Sequence, residues 1–279
     1  MTITILEPHG FCAGVAGALR KAVSAAEESP AESPLYCLHE LVHNELVVAD
    51  LRRRGFVFVE DLSEVPDGAT LLFSAHGVSP SVRDEALARG MKLIDATCPF
   101  VMRVHKAARA FRERGLSVVV IGKRSHAEVR GILGEAPDAA VVGSVDDARR
   151  LSLPPDASRR LGVVSQTTMN ADDVKEIVAA LSSRFEVETL AEVCNATKER
   201  QDAVKAFDGD ALLVLGSATS SNTSRLCEVS RAGKVFRAGS MDELRAIDFA
   251  GVADLGVTSG ASTPESFLEE AVASVKCKV

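Results

Sequence analysis

Three cysteines constrain this chain more than any other feature. Cys12, Cys98 and Cys194 each stand where a run of β-branched residues gives way to a helical pattern, at successive spacings of 86 and 96 residues. Their contexts are Gly10-Phe11-Cys12-Ala13-Gly14-Val15, Asp95-Ala96-Thr97-Cys98-Pro99-Phe100 and Glu192-Val193-Cys194-Asn195-Ala196-Thr197. Near-even spacing and equivalent positions predict three similar α/β units, each offering one thiolate to a shared centre. The start of a helix suits a ligand cysteine, because the positive end of the helix lowers a thiol pKa. Three thiolates with no fourth ligand make the donor set of an iron–sulfur cluster with one open iron, and an open iron can bind a substrate. Zinc is the chemical rival, but three thiolates on zinc are usually closed by a nearby Cys or His, and none is present at short spacing.

Strand and helix patterns alternate from end to end. Thr2 to Leu6 reads as a buried strand and Ala13 to Glu28 as an Ala-rich helix. Further strands are expected at residues 36–38, 56–59, 70–73, 92–94, 118–121, 141–142, 162–165, 212–215, 234–237 and 255–258. Ser79-Pro80 looks like an N-cap followed by Pro at the first helical position, and Asn170 caps another helix. Such alternation with short connections predicts an α/β fold of mainly parallel sheets covered by helices. Boundaries near Ala96 and Glu192 divide the chain into units 1–95, 96–191 and 192–279. The first strand is open to joining the third unit's sheet instead of its own.

In parallel sheets ligands sit beyond the carboxyl ends of the strands. The polar motifs fall there: Glu7 to Cys12, Ser74-Ala75-His76-Gly77, Ser125-His126-Ala127-Glu128, Ser165-Gln166-Thr167-Thr168, Ser217 to Asn222 and Ser259-Gly260-Ala261-Ser262. His43, His76 and His126, with Ser220, Ser221, Asn222 and Ser262, compose an anion cradle of imidazoles, hydroxyls and an amide at helix starts. A diphosphate fits that set better than a metal, because Ser and Asn are weak metal ligands. Glu128 stands two residues from His126, and a carboxyl group there can shuttle protons. His39 and His105 lie beside apolar runs and read as structural.

Composition narrows the classes. At 279 residues and 46% hydrophobic the chain can bury a large core. A net charge of −7 argues against a nucleic-acid binder, and zero Trp with one Tyr leaves little for base stacking. No apolar stretch reaches the roughly 20 residues of a membrane span, and no signal-peptide pattern opens the chain. The expected location is the cytoplasm. The six cysteines include no CxxC pair, so neither a zinc ribbon nor a disulfide framework is indicated. Cys37, Cys227 and Cys277 read as core or surface thiols.

These residues carry a resemblance that covers essentially the whole chain. Gly10 to Val15 (GFCAGV), His39 to Asn44 (HELVHN), Ser74 to Val78 (SAHGV), Asp95 to Pro99 (DATCP), Gln166 to Thr168 (QTT), Ala196-Thr197 with Arg200-Gln201, and Gly256 to Pro264 (GVTSGASTP) occur in order. In them the chain resembles the LytB family, the 4-hydroxy-3-methylbut-2-enyl diphosphate reductases, which act last in the non-mevalonate isoprenoid pathway. The resemblance implies three α/β domains in a pseudo-three-fold trefoil around a central [4Fe-4S] cluster held by Cys12, Cys98 and Cys194. It assigns the substrate's diphosphate to His43, His76, His126, Ser220, Ser221, Asn222 and Ser262, and its hydroxyl to the unique iron. Thr167 joins Glu128 in binding substrate and delivering the proton that lets water leave. Two electrons and two protons then yield isopentenyl and dimethylallyl diphosphates, with a ferredoxin or flavodoxin as the implied electron donor.

The chain departs from the family pattern at His9, Ala16, Gly17, Lys123, Ser125, Ile132 and Thr219. None of these positions is a cluster ligand, a diphosphate-binding residue or the proton donor, but such surroundings orient ligands and tune a cluster. Two other readings therefore stand beside the reductase: a divergent relative reducing another allylic diphosphate, and a cluster-bearing sensor without turnover.

Overall fold

Continuous apolar runs such as Ala211 to Leu215, every residue of which is buried, become inner strands because a parallel strand covered on both faces has no polar side. The computed structural model describes residues 1–29 and 33–278. The chain begins β1 (Thr2–Ile5), α1 (Ala13–Glu28), β2 (Leu35–Leu38), α2 (Glu45–Arg53), β3 (Phe56–Val59), β4 (Thr70–Phe73), α3 (Pro80–Ala88) and β5 (Lys92–Asp95). It continues α4 (Pro99–Glu113), β6 (Ser117–Ile121), α5 (Ala127–Glu135), β7 (Ala140–Val142), α6 (Val145–Arg150), β8 (Arg160–Ser165), α7 (Ala171–Ser182) and β9 (Glu186–Leu190). The last third holds α8 (Asn195–Ala206), β10 (Ala211–Leu215), α9 (Ser221–Val229), β11 (Lys234–Ala238), α10 (Met241–Arg245), β12 (Asp254–Ser259) and α11 (Glu265–Lys278).

The strands form three parallel four-stranded sheets, ordered β1-β12-β10-β11, β3-β2-β4-β5 and β7-β6-β8-β9. Each sheet has the same order when read from the edge strand that leads to a cysteine: β1, β5 or β9. The first sheet achieves this order by recruiting the chain's opening strand, with Thr2 opposite Asp254 and Ile5 opposite Val257.

By packing, the chain divides into two compact units. One comprises Met1–Ala16, Val42–Arg53 and Asn195–Val279, and the other Gly17–Leu41 and Arg54–Cys194. The first unit holds the β1-β12-β10-β11 sheet. Its strand β10 sends Leu213 and Leu215 into a core with Val257, Leu268 and Val275. Leu212 and Val214 point the other way, into a core with Leu6, Val204 and Leu226. The second unit holds the other two sheets. Its strand β6 splits likewise, Val118 and Val120 packing with Val104 and Ile132, Val119 and Ile121 with Ile177 and Leu181. Each fully buried aliphatic side chain contributes roughly 1.5–3 kcal/mol relative to exposure. Helix covers on both faces are therefore what hold these sheets.

Two elements lie outside the sequence expectation. Strand β9 is an edge strand of alternating charge, EVETL, with none of its residues fully buried, so it lacks the apolar run that marks an inner strand. Helix α6, VDDARR, is one and a half turns with a single buried residue, Ala148. Ser144 starts it by accepting the Asp147 N–H, a cap too short in reach to read without its surroundings.

Candidate active site

Each of the three cysteines is positioned by the same backbone contact. Its N–H donates to the carbonyl two residues beyond the end of the neighbouring strand: Cys12 to Ala261 at 3.1 Å, Cys98 to Ala75 at 3.0 Å and Cys194 to Thr167 at 3.1 Å. The strands concerned are β12, β4 and β8. The repeated contact places each cysteine directly before a helix, α1, α4 or α8. All three are half-buried and in no disulfide, whereas Cys37 is fully buried, and Cys227 and Cys277 lie within helices. Burial pushes the Cys37 thiol far above its ordinary range, which suits a core residue and not a ligand.

Those same loops carry the polar candidates. In the second unit, Ala75 precedes His76, whose ring meets that of His126 edge-on, centroids 5.7 Å apart. His126 caps α5, its Nδ1 accepting the Glu128 N–H at 3.2 Å. Glu128 is 1% exposed. Its Oε1 accepts the Thr167 N–H at 2.8 Å and its Oε2 the Thr167 hydroxyl at 3.1 Å. Burial lifts the Glu128 carboxyl from 4.5 to about 7, against the downward pull of the two Thr167 bonds. Thr167 therefore joins the carboxyl group through its N–H and hydroxyl, and Cys194 through its carbonyl.

His105, which the sequence left as structural, supports this group from behind. It is buried on α4, and its Nδ1 bonds Glu135 Oε1 at 3.2 Å while Arg109 holds Oε2 at 2.8 Å. Burial keeps His105 below its ordinary pKa despite Glu135. A Cβ added at Gly131 would lie 2.9 Å from the His105 ring, and one at Gly77 would lie 3.2 Å from it. One imidazole thus packs against both the loop of His76 and the helix of Glu128. Nothing in its local sequence distinguishes it from a core histidine.

The first unit gathers the remaining candidates. Ser262, after β12, donates to the His43 carbonyl at 3.1 Å. Ser220, after β10, caps α9 by accepting the Thr223 N–H at 3.3 Å, and Ser221 and Asn222 form the first helical turn. Asn222 is 4% exposed, yet neither its amide nitrogen nor its amide oxygen has a hydrogen-bond partner. A buried amide left open in this way is costly unless something else satisfies it.

Arg200 belongs to a motif that received no role from sequence. Its buried guanidinium bonds the Gly10 carbonyl at 2.8 Å, the His9 carbonyl at 3.3 Å and the Ala196 carbonyl at 2.9 Å, strapping the Cys12 loop to α8. Gly10 (φ +67°) holds a left-handed conformation that L side chains rarely adopt, and a Cβ there would also have to push the Glu265 carboxyl aside. His9 spans Glu7 and Glu265, each at 2.9 Å. Among the other unusual positions, Ile132 is core, Lys123 N–H donates to Gln166 Oε1, and Thr219 bonds the Ser217 hydroxyl.

The donor set suits an iron–sulfur cluster. Three unlinked thiols start three helices, and Cys12 Sγ accepts the Val15 N–H at 3.4 Å, the kind of bond that tunes cluster sulfurs. Among the described residues no three His, Cys, Asp or Glu side chains are grouped to hold a single metal ion. A cluster sets its ligands wider apart than a single ion does, each cysteine binding its own iron at a corner of one cube. No helix among the described residues is long and apolar enough to cross a membrane.

Comparisons with known proteins bear on the chain as a whole. The family model for LytB protein matches residues 3–276. The 4-hydroxy-3-methylbut-2-enyl diphosphate reductase 2 of Burkholderia mallei is 42% identical, covering 98% of this chain and 85% of the relative. The reductase of that name from Neisseria gonorrhoeae is 43% identical, covering 99% and 87%. The solved structure of the E-1-hydroxy-2-methyl-but-2-enyl-4-diphosphate reductase from Plasmodium falciparum superposes with a TM-score of 0.90 at 32% identity, covering 98% of this chain and 87% of that one.

Proposed function

The chain belongs to the LytB protein family, and from that premise we infer that it is a 4-hydroxy-3-methylbut-2-enyl diphosphate reductase, an oxidoreductase of the non-mevalonate isoprenoid pathway. We propose that it holds a [4Fe-4S] cluster through Cys12, Cys98 and Cys194, works in the cytoplasm and draws electrons from a ferredoxin or flavodoxin. When bound, such a cluster supplies electrons one at a time and a Lewis-acidic iron that no cysteine holds.

The observation that carries this reading is the Cys194–Thr167–Glu128 chain of hydrogen bonds. A carboxyl group with a pKa near 7 is protonated for much of its time at neutral pH. In that state Glu128 Oε2–H donates to Thr167 Oγ1, and the Thr167 hydroxyl hydrogen is released to a substrate oxygen. The pair is thereby a proton relay toward a leaving hydroxyl, held beside a cluster cysteine by one residue's backbone.

His76 and His126 offer ring nitrogens, and Ser220, Ser221, Asn222 and Ser262 offer hydroxyls and an amide, to the diphosphate. Asn222 would gain from the ligand the partners it lacks in the protein. Binding energy collected there, away from the reacting carbon, is available to orient the allylic end.

The test is anaerobic reconstitution with iron and sulfide, followed by turnover of 4-hydroxy-3-methylbut-2-enyl diphosphate with reduced methyl viologen. A brown protein that forms five-carbon diphosphates supports the reading. A brown protein inert toward this substrate, or a colourless one, overturns it.

A further inference from the structure

Helix α4 carries Cys98 at its N-cap and four cations at every third position, Arg103, Lys106, Arg109 and Arg112, against one acid, Glu113. All four cations are exposed, outside the stripe of buried Val101, Val104, Ala108 and Phe111. The chain as a whole carries a net charge of −7, so this helix reverses the sign of the surface locally. Arg109 is committed to Glu135 at 2.8 Å. Among the described residues, Arg103, Lys106 and Arg112 make no ion pair. Along the helix opens a cavity of about 960 Å³, walled in part by Lys106, Arg109 and Arg112. Of the wall's carboxylates outside α4, Asp95 is neutralised by Arg83 and Glu135 by Arg109, leaving Asp84.

At the cysteine end the same helix exposes two large apolar side chains, Phe100 at 41% and Met102 at 36%. A dry apolar spot rimmed by charge is the usual anatomy of a specific interface. Cationic side chains at the rim speed the approach of an acidic partner more than they tighten it.

We propose that the exposed face of α4, from Phe100 to Arg112, is the docking surface for a small acidic one-electron carrier protein. The proposal rests on the reductase reading, since only that chemistry asks for an external electron source. Each encounter oxidises one reduced carrier by one electron. Two encounters and two protons replace the substrate's carbon–oxygen bond with a carbon–hydrogen bond and release the oxygen as water. The position suits electron delivery, because Lys106 lies only about 12 Å along the helix axis from Cys98, at 1.5 Å per residue. The transfer route thus begins at a cluster ligand's own helix.

The experiment uses cluster-loaded protein, the charge-reversal variant R103E/K106E/R112E, and two reductants: methyl viologen and an acidic [2Fe-2S] ferredoxin. With viologen the variant should turn over within about twofold of wild type. With ferredoxin its KM for the carrier should rise roughly tenfold or more at near-constant kcat, the scale of lost electrostatic steering. Calorimetric binding of ferredoxin should weaken in parallel and lose its salt sensitivity, and the neutral variant R103Q/K106Q/R112Q should shift less in the same direction. An unchanged KM and Kd for ferredoxin would overturn the proposal, as would an equal loss with both reductants. Dissociation of a wild-type dimer in the variant, with ferredoxin binding intact, would assign the face to self-association instead. If wild type turns over with neither reductant, the reductase reading falls, and ferredoxin binding alone still decides the docking surface.

Discussion

The loop around Thr167 and the loop around Asn222 are both buried, both polar and both placed after the carboxyl ends of strands, yet they are finished to different degrees. Every polar group that Thr167 brings toward Glu128 is paired within the protein. Asn222 brings an amide with both atoms unpaired. A closed network is rigid and costly to disturb, whereas an open one spends stability to keep a place for a ligand. The contrast assigns the chemistry that must be geometrically exact to the closed loop and the recognition of a polar ligand to the open one.

Breaking the closed loop should have the largest effect. Glu128→Gln keeps an acceptor for the Thr167 N–H but removes the proton, so turnover should fall by about 10²–10⁴ with iron content and visible spectrum unchanged. Full activity in that variant would remove Glu128 from the mechanism.

The same pair predicts a pH dependence. Glu128 has its folded pKa raised from 4.5 to about 7, so the folded state holds a proton that the unfolded state gives up between those values. Stability contributed by this group is fully present below about 4.5, declines as pH rises and is lost above about 7. The loss is on the order of 3 kcal/mol at 1.36 kcal/mol per unit. Denaturant midpoints measured from pH 4.5 to 8 should show that decline in wild type and not in Glu128→Gln. Parallel profiles would refute the protonation argument.

The open loop should answer in the opposite way. Asn222→Leu removes two unpaired buried polar atoms at similar volume, so the melting temperature should hold or rise. The KM for the diphosphate substrate should increase by roughly 10- to 100-fold, the worth of about 1.5–3 kcal/mol of hydrogen bonding to a charged group. A melting temperature several degrees lower would show that Asn222 is structural and the two loops are alike.

The smallest change is Thr167→Val, which keeps the N–H bond and deletes the hydroxyl. Stability should drop by about 1 kcal/mol and kcat by less than in Glu128→Gln, while cluster content stays the same. Loss of the cluster would instead mean that the Thr167 carbonyl had released Cys194.

Much of this was legible before any coordinates. The apolar runs at 118–121 and 211–215 announce inner strands because buried parallel strands need apolar residues on both faces. The cysteines, histidines and serines stand out because their loops follow those strands. Strand β9 was not legible, since an edge strand of mixed charge owes its pairing to β8 and not to its own pattern. The place of β1 was legible only as an alternative, because its partner β12 lies about 250 residues away in the chain. His105 and Arg200 were visible as residues, but their work was not, because it consists of filling the space left by Gly77 and Gly131 and strapping carbonyls of a distant loop.

The sequence by itself determined most element types, the family and the chemical kinds of side chain at each strand end, because propensity, periodicity and motif spacing are local properties of the chain. Tertiary structure alone decided which loops meet, that Glu128 is sealed from water and titrates near neutrality, and that Asn222 is buried without partners. Those are consequences of solvent exclusion, which depends on everything packed around a residue and so is not written at its own position.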